Sequence, residues 1–238
     1  MIDVFAHRGL HRTERENTLA SFKAAVAVGV DGVELDVRRT QDGVLVVHHD
    51  PAIGPLEIAQ SVRSALPDYV PTLEEALESL VGVRVNVEIK NGRGAAERYD
   101  ETGEFARQVL RTIQGSGWSD GAAISCFDLK TCAFVRSMDR NVSVAWLLWD
   151  VAVVEALVRA HVLGFNAVNP HFTTVDEEVV ERARDLQLDV NVWTVNARED
   201  LERMAGLDVA CIITDDPVLA LEVVARRSRR AQFDNGVD

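Results

Sequence analysis

Eight short apolar runs recur along the chain, near residues 2–6, 32–38, 84–89, 122–125, 143–147, 166–168, 190–193 and 210–213, with helix-like segments between them. Unbroken strand–helix alternation restricts the fold to a parallel sheet covered by helices. The sheet is either closed into a (β/α)8 TIM barrel or left open and doubly wound. At 238 residues the chain has the length of one such barrel, so a single-domain α/β barrel is the expected fold. Residues 1–225 are assigned to it. The end "RRSRRAQFDNGVD" (226–238) loses apolar periodicity and is expected to be a flexible tail. Neither a linker nor an internal repeat divides the chain.

The helical segments carry start and stop signals. Asn17-Thr18 precedes Leu19, Phe22 and Val26 at helical spacing, and Gly29 closes that segment. Thr72 with Glu75, and Thr174 with Glu177, read as capping boxes. "VLVV" (44–47) follows the turn Asp42-Gly43 and is expected to form an extra strand.

Composition narrows the class. No stretch approaches the ~20 uncharged apolar residues of a membrane span, and "MIDVFAHRG" reads as a first strand, with no leader pattern. Three cysteines, Cys126, Cys132 and Cys211, form no CxxC pair, which fits a reducing cytoplasm and disfavours disulfides or zinc. A net charge of −13 argues against nucleic acid as a partner, since phosphate-backbone binding needs clustered cations. A small anionic substrate stays open if the site supplies its own cations.

The strands themselves carry charge. In "GVELDVR" (32–38) alternation puts Val33, Leu35 and Val37 on one face and Glu34, Asp36 and Arg38 on the other. In "VRVNVEIK" (83–90) the polar face is Asn86, Glu88 and Lys90. In a barrel the apolar set packs under the helices, so the charged set points inward. Buried carboxylates that converge unpaired cost several kcal/mol each, so a cation is expected among Glu34, Asp36 and Glu88. All-oxygen ligation suits Mg²⁺ or Ca²⁺. "FAHRGL" (5–10) ends the first strand in His7, Arg8 and Gly9, and "DGVLVVHHD" (42–50) places His49 in phase with Leu45 and Val47, with His48 opposite. Two histidines, Arg8, Lys90 and a divalent ion are a set suited to acid–base chemistry on a phosphate. Gly9 is expected to let backbone pass close to substrate.

"AHRG" (6–9), "ENTLASF" (16–22), "GVELDVRRTQDGVLVVHHD" (32–50), "PTLEEAL" (71–77), "VNVEIK" (85–90), "VWTVN" (192–196) and "IITDDP" (212–217) together resemble the glycerophosphodiester phosphodiesterase family over nearly the whole chain. The resemblance implies a (β/α)8 barrel enzyme that hydrolyses glycerophosphodiesters to glycerol 3-phosphate and an alcohol. By motif position it implies His7 and His49 as the acid/base pair, and Glu34, Asp36 and Glu88 as divalent-metal ligands. Arg8 and Lys90 become phosphate contacts, and Glu16 and Asn17 rim residues ordering the first loop. The segment after Pro51, "AIGPLEIAQSVRSALPDYV", is shorter than is usual in the family and lacks a Thr-rich stretch, so the leaving-group side of the pocket is expected to differ.

Trp193, in phase with Asn191, is expected to face the mouth and either to cover the glycerol moiety or simply to pack in the barrel. Ser125, at the end of the fourth strand, has two readings, a hydrogen bond to substrate or, as expected, to local backbone. His171 either reaches the mouth or, as expected, is exposed in a loop; His11 is expected to be exposed and His161 peripheral. Asp215–Pro217 should turn into the last helix with Asp215 or Asp216 as its cap, and Cys126 has no evident partner as a nucleophile. Two rival readings remain: a Schiff-base aldolase using Lys90, and a non-catalytic metal-binding barrel. Small soluble diesters are favoured over membrane phospholipids because no basic amphipathic anchor is visible. The sequence assigns no oligomeric state.

Overall fold

The structure, a computed structural model, describes residues 2–92, 99–118 and 121–234. Among these, eight parallel strands run around a closed barrel: β1 (Asp3–His7), β2 (Gly32–Arg39), β3 (Arg84–Ile89), β4 (Ala122–Cys126), β5 (Ser143–Leu148), β6 (Ala167–Pro170), β7 (Asp189–Val192) and β8 (Cys211–Thr214). Closure is made by β1, which pairs with β8 on one side (Ala6 opposite Thr214) and with β2 on the other (His7 opposite Glu34). The open-sheet alternative is thereby excluded. Helices α1 (Leu19–Val28), α2 (Leu73–Ser79), α3 (Glu104–Gly115), α4 (Leu129–Met138), α5 (Val153–Val162), α6 (Glu177–Asp185), α7 (Arg198–Leu207) and α8 (Pro217–Asp234) lie outside. No helix among the described residues is long and apolar enough to cross a membrane.

The alternation read from β2 and β3 holds. Val33, Leu35, Val37, Val85, Val87 and Ile89 are buried in the main core with residues of the surrounding helices, such as Phe22 and Leu77. Each such side chain contributes roughly 1.5–3 kcal/mol on burial. Glu34, Asp36, Asn86 and Glu88, on the opposite face, are buried too, but as polar groups. Below them Phe5, Cys211 and Ile213 form a separate apolar cluster, with Trp193 packed against it.

Caps follow the local chemistry. Thr18 and Ser21 form a reciprocal box at α1, which Gly29 ends at φ +84°. Thr72 and Glu75 form another at α2. At α6 the expected Thr174 box does not form. Asp176 caps instead, accepting from Val179 N at 3.0 Å, while the Thr174 hydroxyl donates to His171 O at 2.8 Å. Asp216 alone caps α8, accepting from Leu219 N at 3.1 Å. That helix continues to Asp234, through residues assigned to a tail, and its polar stretch is supported by the i,i+4 pair Glu222–Arg226 at 2.8 Å and by Arg227–Asp208 at 2.8 Å. Residues 235–238 of that expected tail lie outside the described residues.

Between β2 and α2 the chain makes an excursion. The expected extra strand forms at Leu45–Val47, antiparallel to β2 with Val37 opposite Val47. Val46, Ile58, Leu66 and Val70 give the excursion its own small core. Arg38, predicted to share the inward face, is buried and turned sideways, its Nε donating to His49 O at 2.8 Å. That bond anchors the bend carrying His48 and His49.

Candidate active site

Every strand ends at the same rim, and the polar groups named from the sequence meet there. Glu34 and Asp36 come from β2 and Glu88 from β3, with Asp36 opposite Glu88 in register. One ligand oxygen from each lies within 4.8 Å of the others, and all three residues are buried. Lys90, just past β3, places Nζ 2.8 Å from Asp36 Oδ1 and 2.6 Å from Glu88 Oε1. Arg8 Nε lies 3.2 Å from Asp36 Oδ2, and its Nη1 is 3.1 Å from Glu16. Asn17 Nδ2 donates to Asp36 Oδ2 at 2.7 Å.

Two positive charges therefore face three buried carboxylates, and the imbalance falls on Glu34. Its Oε1 is buried with no hydrogen-bond partner. Burial, then repulsion from Asp36 and Glu88, raises its pKa well above the usual carboxylate range. Burial also pushes Asp36 upward, but Lys90 and Arg8 outweigh it and the net shift is downward. An oxygen-only donor set with one orphaned oxygen and a surplus negative charge fits a hard divalent cation. Lys90 is a poor candidate for a Schiff-base amine. Burial opposes its charge, but Glu88 and Asp36 override this and raise its pKa, keeping it an ammonium ion.

Backbone geometry brings the rim together. Arg8 and Asn17 adopt left-handed conformations, φ +56° and +55°. For Arg8 this costs on the order of 1–3 kcal/mol, offset by its N–H donating to Glu34 O at 2.9 Å. Gly9 (φ +82°) serves α1 and not the substrate side. A Cβ there would lie 2.4 Å from Ser21 Oγ, so its close approach is to the helix.

His7 ends β1, and its Nε2 lies 3.9 Å from Glu34 Oε2. Its Nδ1 is 2.6 Å from Asp215 Oδ1. His49 reaches the same cavity, with Nδ1 2.8 Å from Asp50 Oδ1. Burial, then the Lys90 charge, lowers the His49 pKa. The cavity, about 250 Å³, is lined by His7, Arg8, Glu34, His49, Glu88 and Lys90 on one side and by Phe127, Leu147 and Trp193 on the other.

Trp193 faces the mouth as expected, tethered by Nε1 to Asn169 O at 2.7 Å. It belongs to an aromatic wall that sequence reading missed, with ring centroids 5.5 Å to Phe127 and 5.6 Å to Trp149. His171 joins this wall, 5.1 Å from Trp149, and is more than a loop histidine. Ser125 is fully buried and its hydroxyl has no hydrogen-bond partner, contrary to the local backbone bond expected. His11, expected to be exposed, is half-buried, with Nε2 2.9 Å from Asp215 Oδ1. Cys126 is buried, its thiol donating to Ile89 O, and burial pushes its pKa up to about 12, so it is no nucleophile.

A model of the glycerophosphoryl diester phosphodiesterase family matches residues 7–59 and 56–219. A glycerophosphodiester phosphodiesterase of Caldanaerobacter subterraneus is 30% identical over 94% of this chain and 98% of its own. One from Bacillus altitudinis is 27% identical with the same coverage. Among solved structures, a glycerophosphodiester phosphodiesterase of Parabacteroides distasonis superposes with a TM-score of 0.86 at 25% identity, covering 95% of this chain and 98% of that one. A phosphodiesterase of Oleispira antarctica, solved with its product sn-glycerol-3-phosphate, gives 0.83 at 20% identity over 94% and 97%. The chain therefore belongs to the glycerophosphoryl diester phosphodiesterase family and is an enzyme of the phosphoric diester hydrolase class.

Proposed function

We propose that the enzyme hydrolyses glycerophosphodiesters to glycerol 3-phosphate and an alcohol, with His7 and His49 as the proton-transfer pair and Mg²⁺ or Ca²⁺ bound by Glu34, Asp36 and Glu88. The observation that carries this reading is the convergence of two imidazoles, Glu34, Glu88 and two fixed cations on one cavity, with Asp36 buried behind them between the cations. When bound, the divalent ion supplies Lewis acidity toward a phosphoryl oxygen. Arg8 and Lys90 hold phosphoryl oxygens by charge-assisted hydrogen bonds. Trp193 and Phe127 cover the glycerol moiety with apolar surface.

The attacking oxygen, from water or the neighbouring glycerol hydroxyl, forms a bond to phosphorus while the bond to the alcohol oxygen breaks. One imidazole takes the attacking group's proton, and the other gives a proton to the departing alcohol. In the second route a cyclic phosphate forms first and water opens it. The ammonium state of Lys90 argues against aldolase chemistry, and the two imidazoles argue against a merely metal-binding barrel. Three unpaired buried cysteines support a reducing, cytoplasmic location.

The deciding experiment is a glycerol 3-phosphate release assay over a panel of glycerophosphodiesters, with and without chelator. Release from at least one diester, lost on chelation, is the expected result. No release from any of them sinks the proposal.

A further inference from the structure

His7 does not hold itself in place. Thr214 is the last residue of β8 and stands opposite Ala6 of β1, so barrel closure brings Asp215 beside His7 across 208 residues of sequence. Asp215 Oδ1 contacts His7 Nδ1 at 2.6 Å and His11 Nε2 at 2.9 Å. Its Oδ2 accepts from Asn196 Nδ2 at 2.6 Å. The amide oxygen of Asn196 accepts in turn from Asp215 N at 2.9 Å and from Thr214 Oγ1 at 3.2 Å. With its oxygen committed to two donors, Asn196 has to point its NH₂ at Asp215. Burial opposes ionisation of Asp215, yet the hydrogen bonds from His11 and His7 hold its carboxyl far below the usual range. A carboxylate offers no proton, so the nitrogen facing it carries the N–H.

We propose that Asp215 is a positioning residue for His7 and that Asn196 sets its polarity. Together they keep the His7 ring proton on Nδ1, so that Nε2 presents a bare lone pair to the substrate. The proposal rests on the reading of His7 as a proton-transfer group. It assigns no direct role in the reaction to Asp215 or Asn196, since neither lines the cavity with the substrate-facing groups.

The arrangement makes an unusual demand on a conservative change. In Asp215→Asn, position 215 has one acceptor and one donor. The NH₂ of Asn196 claims the acceptor, because two donors cannot face each other. The new NH₂, with two N–H donors, then faces both His7 Nδ1 and His11 Nε2, each of which has to become an acceptor, and the His7 ring proton moves to Nε2. Exchanging the two residues reverses this. In Asp215→Asn/Asn196→Asp the carboxylate at 196 accepts from the amide at 215, whose oxygen turns back toward His7, and the proton returns to Nδ1.

The test is ¹⁵N NMR of histidine-labelled, full-length, metal-free protein, together with kcat and KM on the best glycerophosphodiester of the panel. Wild type is expected to carry the His7 proton on Nδ1. Asp215→Asn is expected to carry it on Nε2 and to lose about 10²-fold or more in kcat with KM little changed, as carboxylate-to-amide changes behind catalytic histidines do. The exchanged pair is expected to restore the Nδ1 proton and to return kcat to within about tenfold of wild type. A single variant that keeps the proton on Nδ1 overturns the proposal. So does an exchanged pair that restores the tautomer without restoring kcat. If Asp215→Asn does not fold, the exchanged pair decides alone: an Nε2 proton there overturns the proposal. The tautomer readout needs no substrate, so failure of the diesterase reading and failure of this inference are told apart.

Discussion

His7 and His49 each offer an imidazole to one cavity and each bonds a carboxylate through Nδ1, yet the two pairs are built on opposite plans. Asp215 arrives from the far end of the chain, is bonded on both oxygens, and has a side chain 29% exposed. Asp50 is the next residue in sequence and its side chain is 69% exposed. A half-buried, cross-linked carboxylate fixes a ring through the architecture of the barrel. An exposed neighbour fixes it only as well as one solvated pair can, about 0–1 kcal/mol. What orients His49 is mostly its backbone, held by Arg38.

The contrast presumes that both rings serve one reaction, so the most drastic way to break it is to withdraw the cation. Excess EDTA is expected to abolish turnover, and Mg²⁺ or Ca²⁺ to restore it. Full activity in EDTA would dissolve the common site. Next in size, His7→Ala and His49→Ala are each expected to lose about 10²–10⁴-fold in kcat. The double variant should lose far less than the product, because both serve one transition state. A nitrophenyl diester, whose leaving group is already acidic, should spare whichever histidine acts as acid. His48→Ala is the control and should be tolerated. Near-normal turnover in His49→Ala beside a damaged His48→Ala would end the assignment.

A smaller effect sharpens the difference between the carboxylates. Asp50→Ala is expected to cost less than about fivefold in kcat, the kinetic equivalent of a solvated pair. A loss as large as that of Asp215→Asn would show that the two pairs work alike. The smallest effect is on stability. Glu34's pKa is raised in the folded protein, so its contribution is full below the unfolded carboxyl value of about 4.3 and is lost as pH rises through the folded value. Metal-free Glu34→Gln should therefore melt a few degrees higher than wild type, more so at pH 8 than at pH 5. With saturating cation the order should reverse, since the variant lacks a ligand. Calorimetry that finds no crossing would count against a cation at this cluster.

The eight strands and the inward carboxylates were legible because a barrel strand buries both faces, and on β2 and β3 only the outer one is apolar. Alternating Val33, Leu35 and Val37 leaves Glu34 and Asp36 nowhere else to go. What escaped reading depended on closure. "TDDP" looks like a helix cap, and Asp216 is one, but its neighbour Asp215 belongs to His7 only because β8 lies beside β1. The same distance hid the wall of Phe127, Trp149, His171 and Trp193, whose members come from the ends of successive strands. The Thr174 box failed for a local reason. Asp176, two residues on, offers an equally good acceptor to the same first turn.

The pairing of His7 with Asp215 across 208 residues also has a timetable. At roughly 5–20 residues per second of synthesis, the carboxylate leaves the ribosome about 10–40 s after the imidazole it orients. Until then β1 lacks its β8 neighbour, and Glu34 stands across from a ring with no anchor. A chain that stops before β8 carries His7, His49 and the three carboxylates but not Asp215, so the group that orients His7 is the last of the set to be made.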